Sequence, residues 1–276
     1  MNLVAQGPEM TPQHAFELAP LAGAPGFEQI NEHAYRFRAA SRHERVAQWC
    51  EARRIDHAWI PAGRRFADQK LLAMDMDSTL ITIECIDELG DLAGRKPEIA
   101  GITAQAMRGE IDYPESLRRR VALLQGLDES ALLRVYEERL KLTPGAESLL
   151  TKCKQHGVKL LLVSGGFTFY TERLKSRLGI DYTISNRLEI ASGKLTGQLL
   201  GDIVDAEAKA AKFRAVRDEL KARQEHTVAI GDGANDLKMM AEAGVSVAFR
   251  AKPVVRAQAT CALNFSGLDG VVNLFE

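Results

Sequence analysis

Charge of one sign is missing from this chain. Its 276 residues carry 36 Lys and Arg against 37 Asp and Glu, a formal net charge of −1. Such a balance supplies no global attraction for nucleic acid or for an anionic membrane, so recognition of an anion has to come from a few placed groups. Cysteine is sparse as well. Cys50, Cys85, Cys153 and Cys261 are scattered, with no C-x-x-C pair and no histidine at ligand spacing. That pattern argues against a disulfide framework or a zinc site, and the four read as free, mostly buried thiols in a reducing compartment. No apolar run approaches the ~18 residues that a membrane span needs. The opening MNLVAQGPEM has neither a basic start nor a long apolar stretch, so no secretory signal is expected. Repeats and low-complexity tracts are absent, and a cytoplasmic location is the expectation that remains.

What is present is a 46% hydrophobic share, enough for a sizeable core in one or two domains. Residues 1–65 read as a small α/β unit. A strand near NLVAQ precedes a helix near TPQHAFELA, extended segments near FEQIN and AYRFRAA, a helix RHERVAQWCEARR and a strand DHAWIP. That β-α-β-β-α-β order is ferredoxin-like. AGRRFADQ then reads as a polar linker to residues 66–276. A first apolar strand ends on DMDST near residues 70–82. Residues 83–142 show apolar side chains at three- and four-residue steps, which predicts four helices inserted as a small bundle. From residue 143, apolar strands alternate with helices, which predicts a parallel sheet covered on both faces. The first of these helices is expected after Thr143, with Pro144 at its first position. NRLEIASGKLTGQLLG breaks the rhythm as a hairpin around ASGK.

Three polar loops, DMDST, SGG and GDGAND, each sit just past an apolar strand. In an open α/β sheet the carboxyl ends of the strands form the active crevice, so these loops converge. They bring together Asp75, Asp77, Ser164, Lys209, Asp232 and Asp236. Acids outnumber bases, and hard oxygen ligands suit Mg²⁺, with Asp75 and Asp232 the best side-chain ligands. A carboxylate on such a metal can attack phosphorus and form an aspartyl phosphate. A carboxylate two residues on can protonate the leaving oxygen and then deprotonate water. Ser164 and the N–H groups around Gly165 and Gly166 can hold phosphoryl oxygens, and Lys209 supplies a point charge.

DMDSTL, VSGGF, Lys209 in AEAKAAKF, and GDGAND resemble, in order, the four motifs of the haloacid dehalogenase superfamily. The likeness covers roughly residues 70–275 and includes ECIDE, AMRGEIDYPESLRRRV and SNRL. It implies a Rossmann-like parallel sheet with a helical cap inserted after the first core strand. It implies Asp75 as nucleophile and Asp77 as general acid/base, with the Asp77 backbone carbonyl and Asp232 as further metal ligands. Asp236 and Asn235 would order the metal waters, Lys209 and the substrate. The cap would select the substrate, with Glu84 facing an amino group, Arg120 a carboxylate, and Met107 and Tyr113 forming an apolar wall. Helix spacing alone leaves Arg118, Arg119 and Arg120 as equal candidates. Tyr113 stands where the family often has Phe, and a buried hydroxyl there needs a partner. The implied reaction is Mg²⁺-dependent hydrolysis of O-phospho-L-serine to L-serine and phosphate, the last step of L-serine biosynthesis. Two competing readings are transfer of the phosphoryl group to another alcohol such as homoserine, and a silent phosphoamino-acid sensor. The N-terminal unit, whose strand order resembles an ACT domain, is expected to regulate or to form a homodimer.

Overall fold

In the computed structural model, which describes residues 1–276, the N-terminal segments form β1 (Asn2–Gln6), α1 (Pro12–Leu21), β2 (Glu28–Asn31), β3 (Ala34–Phe37), α2 (Glu44–Ala52) and β4 (Asp56–Ile60). The sheet order is β2-β3-β1-β4, with every neighbour antiparallel. Period-two alternation explains its two faces. Leu3, Ala5, Tyr35 and Phe37 join Ala15, Leu18, Val46 and Cys50 in a core shared with α1 and α2. Gln6, Arg36 and Asp56 bond instead to the end of the chain. Asp56 accepts the N–H groups of Asn264, Phe265 and Ser266 at 2.7, 3.0 and 2.8 Å. Arg36 donates to the carbonyls of Asn273 and Phe275, and Gln6 to that of Gly270.

The expected polar linker is not a free one. Phe66 is buried and packs edge-on against Phe275 and His156, while its N–H donates to the Glu276 carbonyl. One aromatic ring in an otherwise polar stretch is enough to pin it.

The second sheet holds β5 (Leu71–Asp75), β6 (Lys159–Phe167), β7 (Tyr182–Ala191), β8 (Lys194–Leu200), β9 (Thr227–Gly231), β10 (Val245–Phe249) and β11 (Cys261–Leu263). Its order is β11-β10-β9-β5-β6-β7-β8, parallel except for the β7–β8 hairpin. Every residue of β5, β9 and β10 is buried, as a doubly covered sheet demands. Between β5 and β6 lie α3 (Cys85–Leu92), α4 (Lys96–Met107), α5 (Tyr113–Ala122) and α6 (Ser130–Arg134), the last continuing as a wider turn to Arg139. After them come α7 (Ala146–Gln155), α8 (Thr168–Leu178), α9 (Ala206–Glu219), α10 (Leu237–Ala241) and α11 (Pro253–Arg256). The architecture is therefore the expected parallel core with a helical cap and a small N-terminal α/β unit. All four cysteines are free and buried, and no helix is long and apolar enough to cross a membrane.

Helix α7 starts later than its proline suggests. Gly145 takes φ +83°, and residue 269 passes so close that a Cβ would lie 2.6 Å from the Asp269 nitrogen; both favour glycine before the helix. The cap is also tied down at two places. Its neck is an antiparallel bridge between Ile81 and Leu142. Its far end bonds to the hairpin, through Gly126 N–H to Leu195 O at 2.8 Å and Glu129 N–H to Gly193 O at 2.9 Å.

Candidate active site

Strand order sets the site. β5 lies between β9 and β6, so the loops after these three strands are neighbours. Asp75 ends β5 and Asp236 follows β9; both meet Lys209, which α9 brings in from below. Lys209 Nζ donates to Asp75 Oδ1 at 2.5 Å and to Asp236 Oδ1 at 2.8 Å. Burial alone would lower the Lys209 ammonium; Asp236 and Asp75 more than reverse that, and its pKa is raised. Burial raises Asp75 well above the usual carboxylate range. Lys209 opposes this, while Asp236, Asp232 and Asp77 push it further up. Asp232 is held up to about 6 by burial and Asp236, eased by Lys209 and Lys252. So many acids around one buried lysine leave the floor short of positive charge.

The chemistry of the donors fits a hard cation. Carboxylate oxygens of Asp75, Asp232 and Asp236 lie within 4.8 Å of one another. Asp236 has spent both oxygens, on Lys209 and on the Gly233 N–H at 3.1 Å. Asp75 Oδ2 accepts no hydrogen bond, and Asp232 accepts only from the Thr79 hydroxyl, at 3.3 Å. Asp75 and Asp232 are thus the side chains with oxygens to offer.

Asp77 is held differently. Its Oδ1 accepts the Cys85 N–H at 2.8 Å and its Oδ2 the Ser164 hydroxyl at 3.3 Å. Burial still raises its pKa, against the pull of Cys85, Lys209 and Ser164. Ser164 is fully buried, and its Oγ also accepts the Gly166 N–H at 2.8 Å. The cavity therefore meets Gly165 and Gly166 rather than the Ser164 hydroxyl, which orients Asp77 from beneath. A Cβ on Gly166 would fall 2.7 Å from Asp77 Oδ2, so this close approach needs glycine.

Above this floor is a cavity of about 150 Å³, walled by Ile86, Leu117 and Tyr113 of the cap and by Phe167 of the core. That volume suits a metabolite smaller than the drug-sized ligands of ~300–1,000 Å³ pockets. Glu84 and Arg120 both face it. Arg118 and Arg119 are exposed on the other side of α5, with Arg119 paired to Glu115 at 2.6 Å. Arg120 makes no ion pair, only a long bond of 3.4 Å to the Ser116 carbonyl. Glu84 accepts the Ser78 hydroxyl at 2.7 Å and is pushed up to about 7 by desolvation of its carboxyl and by Asp77, against the Ser78 bond. Ser78 holds a left-handed φ of 56°, uncommon for a residue with a side chain. The buried Tyr113 hydroxyl has its partner, the Gly165 carbonyl at 3.0 Å.

Most of the expected residues therefore converge: Asp75, Asp77, Glu84, Tyr113, Arg120, Gly165, Asp232 and Asn235 line the cavity, with Ser164, Lys209 and Asp236 beneath it. Met107 does not. It ends α4 with 65% of its surface exposed and is absent from the cavity wall, which Ile86 and Leu117 supply instead. Helical periodicity gave no sign of this, because the last turn of α4 overhangs solvent. Two further residues escaped the sequence. Asn186 of β7 is buried, accepts the Val204 N–H, and donates to the Gly165 carbonyl at 2.8 Å. A polar residue buried inside a strand was the available signal. Lys252 lines the cavity beside Asp232, and no motif marks it.

The family follows from comparison with known proteins. The model of the haloacid dehalogenase-like hydrolase family matches residues 72–241, and one for a domain of unknown function matches residues 3–46. The chain belongs to the haloacid dehalogenase-like hydrolases. Within them it is an enzyme of the phosphoserine phosphatase group. A phosphoserine phosphatase of Polaromonas sp. is 54% identical over 217 residues, 77% of this chain and 92% of that one. The unliganded structure of a probable phosphoserine phosphatase from Vibrio cholerae matches at TM-score 0.87 and 38% identity, over 99% of this chain and 86% of that one. A substrate-bound phosphoserine phosphatase matches at TM-score 0.71 and 36% identity, over 75% of this chain and 99% of its own.

Proposed function

We propose that this protein is a cytoplasmic, Mg²⁺-dependent phosphatase that hydrolyses O-phospho-L-serine to L-serine and phosphate, closing L-serine biosynthesis. The observation that carries this reading is the small cavity between a floor of crowded carboxylates and two cap side chains of opposite charge. Phosphoserine bears an ammonium and a carboxylate beside its phosphate. Glu84 would take the first and the planar fork of Arg120 the second. A substrate lacking either group would leave a desolvated charge unpaired, a strong basis for rejection.

One carboxylate oxygen of Asp75 would attack phosphorus while the bond to the seryl oxygen breaks. Asp77, whose pKa burial raises, would protonate the departing serine oxygen. Asp77 would next take a proton from water as that water attacks the Asp75 phosphoryl group. The acyl-phosphate bond breaks, phosphate leaves and Asp75 is regenerated. The N–H of Gly165 and the side chain of Asn235 would hold the phosphoryl oxygens, and Lys209 would keep Asp75 aligned. Asp75, Asp232 and the Asp77 backbone carbonyl would hold Mg²⁺, which would supply charge stabilisation to the phosphoryl oxygens. Asp236 would steady Lys209 from behind.

Residues 66–276 would carry this chemistry, with residues 83–142 as the cap. Residues 1–65 would be a regulatory or dimerising unit, a reading supported by their separate core and their bonds to the chain end; sedimentation with and without serine tests it. For the reaction, phosphate release from phosphoserine is compared with that from phosphoethanolamine, which lacks the carboxylate, and phosphopropionate, which lacks the amine. Strong preference for phosphoserine, abolished by chelation, is the expected result. Equal turnover of all three would refute the assignment of Glu84 and Arg120.

A further inference from the structure

Lys252 lies between β10 and α11, outside every motif of the site. Its backbone does the structural work. The N–H donates to the Asp232 carbonyl at 3.2 Å, and the carbonyl accepts from Val255 and Arg256 at 2.9 and 3.1 Å. None of these bonds involves the ammonium. The side chain is exposed, forms no ion pair, and lines the cavity beside Asp232, Gly233 and Asn235. The other cations are placed differently. Lys209 is fully buried under the floor and bound to two carboxylates. Arg120 enters from the cap. Lys252 is thus the basic side chain that the core itself presents to the cavity, with its charge unspent.

We propose that Lys252 captures the phosphoryl group at the cavity mouth, drawing the substrate's phosphate in and retaining the phosphate product. The inference rests on the phosphatase reading above. Four acids, Asp75, Asp77, Glu84 and Asp232, face the same cavity against Arg120 and Lys252, so even with Mg²⁺ bound the lining carries no excess of positive charge, and an approaching dianion depends on each cation placed at the mouth. Low-dielectric cleft walls focus the field of a single charge at such a mouth. The effect belongs to encounter and binding rather than to bond breaking, because Asp77 and Lys209 serve the reacting atoms from below.

The test uses the full chain with Mg²⁺ and O-phospho-L-serine, in wild type, Lys252→Gln, Lys252→Glu and Lys252→Arg, at low and high salt. The substituted side chain is exposed and the backbone bonds are kept, so folding is not at stake. Lys252→Gln is expected to raise KM about three- to tenfold, leave kcat within about twofold, and weaken inhibition by inorganic phosphate in parallel. The fall of kcat/KM with salt should flatten, Lys252→Glu should be worse, and Lys252→Arg should restore binding. Unchanged KM and phosphate inhibition in Lys252→Gln would overturn the proposal, as would a fall confined to kcat. Wild-type protein that releases no phosphate would refute the phosphatase reading instead. Calorimetry with inorganic phosphate then still decides Lys252: equal affinity in wild type and Lys252→Gln overturns it, and weaker binding in the variant supports it.

Discussion

Asp56 and Asp75 are both buried, with 2% and 6% of their surface exposed. Around Asp56, three backbone N–H groups of residues 264–266 fill the carboxylate, and Arg36 of the same sheet finds carbonyls at the chain end. Around Asp75 there is one ammonium, and three further acids crowd in. The first arrangement is complete and joins two sheets. The second lacks positive charge and has one oxygen with no partner. A buried charge that the fold has satisfied holds structure together; one left short marks where a ligand belongs.

The largest test of that contrast removes each carboxylate in turn. Asp75→Asn should lower phosphoserine turnover by at least about 10³-fold while the chain still folds by circular dichroism. Near-normal turnover would end the nucleophile assignment. Asp56→Asn should do the reverse. Urea unfolding should show a loss of about 2–4 kcal/mol, with kcat/KM of the folded enzyme unchanged within twofold. An inactive but fully stable Asp56→Asn protein would erase the distinction between the two regions.

Metal binding at the crowded carboxylates should depend on pH. Glu84 and Asp232 hold protons up to about 7 and about 6 in the folded chain, above their ordinary values of 4.5 and 3.8. At these two groups the folded state therefore binds more protons than the unfolded state, and their contribution to stability falls as pH rises from about 4 to 7. Mg²⁺ held by Asp232 should offset the part due to that carboxylate, so its gain in Tm should be larger at pH 8 than at pH 5. A Tm gain that does not grow with pH would contradict a carboxylate metal site.

Specificity should follow Glu84. As its carboxyl ionises through about 7, the kcat/KM ratio of phosphoserine to phosphopropionate should rise about tenfold from pH 6 to 8. A flat ratio would remove Glu84 as the group that reads the amine. The smallest effect is reserved for Tyr113→Phe. The Gly165 carbonyl keeps its bond from Asn186, so losing one neutral hydrogen bond should raise KM by only a few-fold.

The sequence carried the core of the site because each acidic loop terminates an apolar strand, and a parallel sheet aligns such ends. The N-terminal strand order was equally legible, from short alternating segments separated by helical ones. What escaped depends on distant partners. Asp56 and Arg36 bond to residues 208–239 positions away, and nothing local distinguishes them from surface charges. Helix spacing alone did not separate Arg120 from Arg118 and Arg119; the family resemblance picked Arg120, and the rotation of α5 turns that side chain to the cavity. Met107 follows the apolar rhythm of α4, yet that rhythm does not tell how far the helix overhangs solvent. Lys252 needed the loop after β10 to fold back on Asp232.

The most direct measurement is an acid quench within a single turnover of ³²P-labelled phosphoserine with Mg²⁺, followed by peptide mapping. Label on the peptide containing Asp75, released by hydroxylamine and absent from Asp75→Asn, is the predicted result. Full turnover with no label on the protein, or label on another residue, would contradict it.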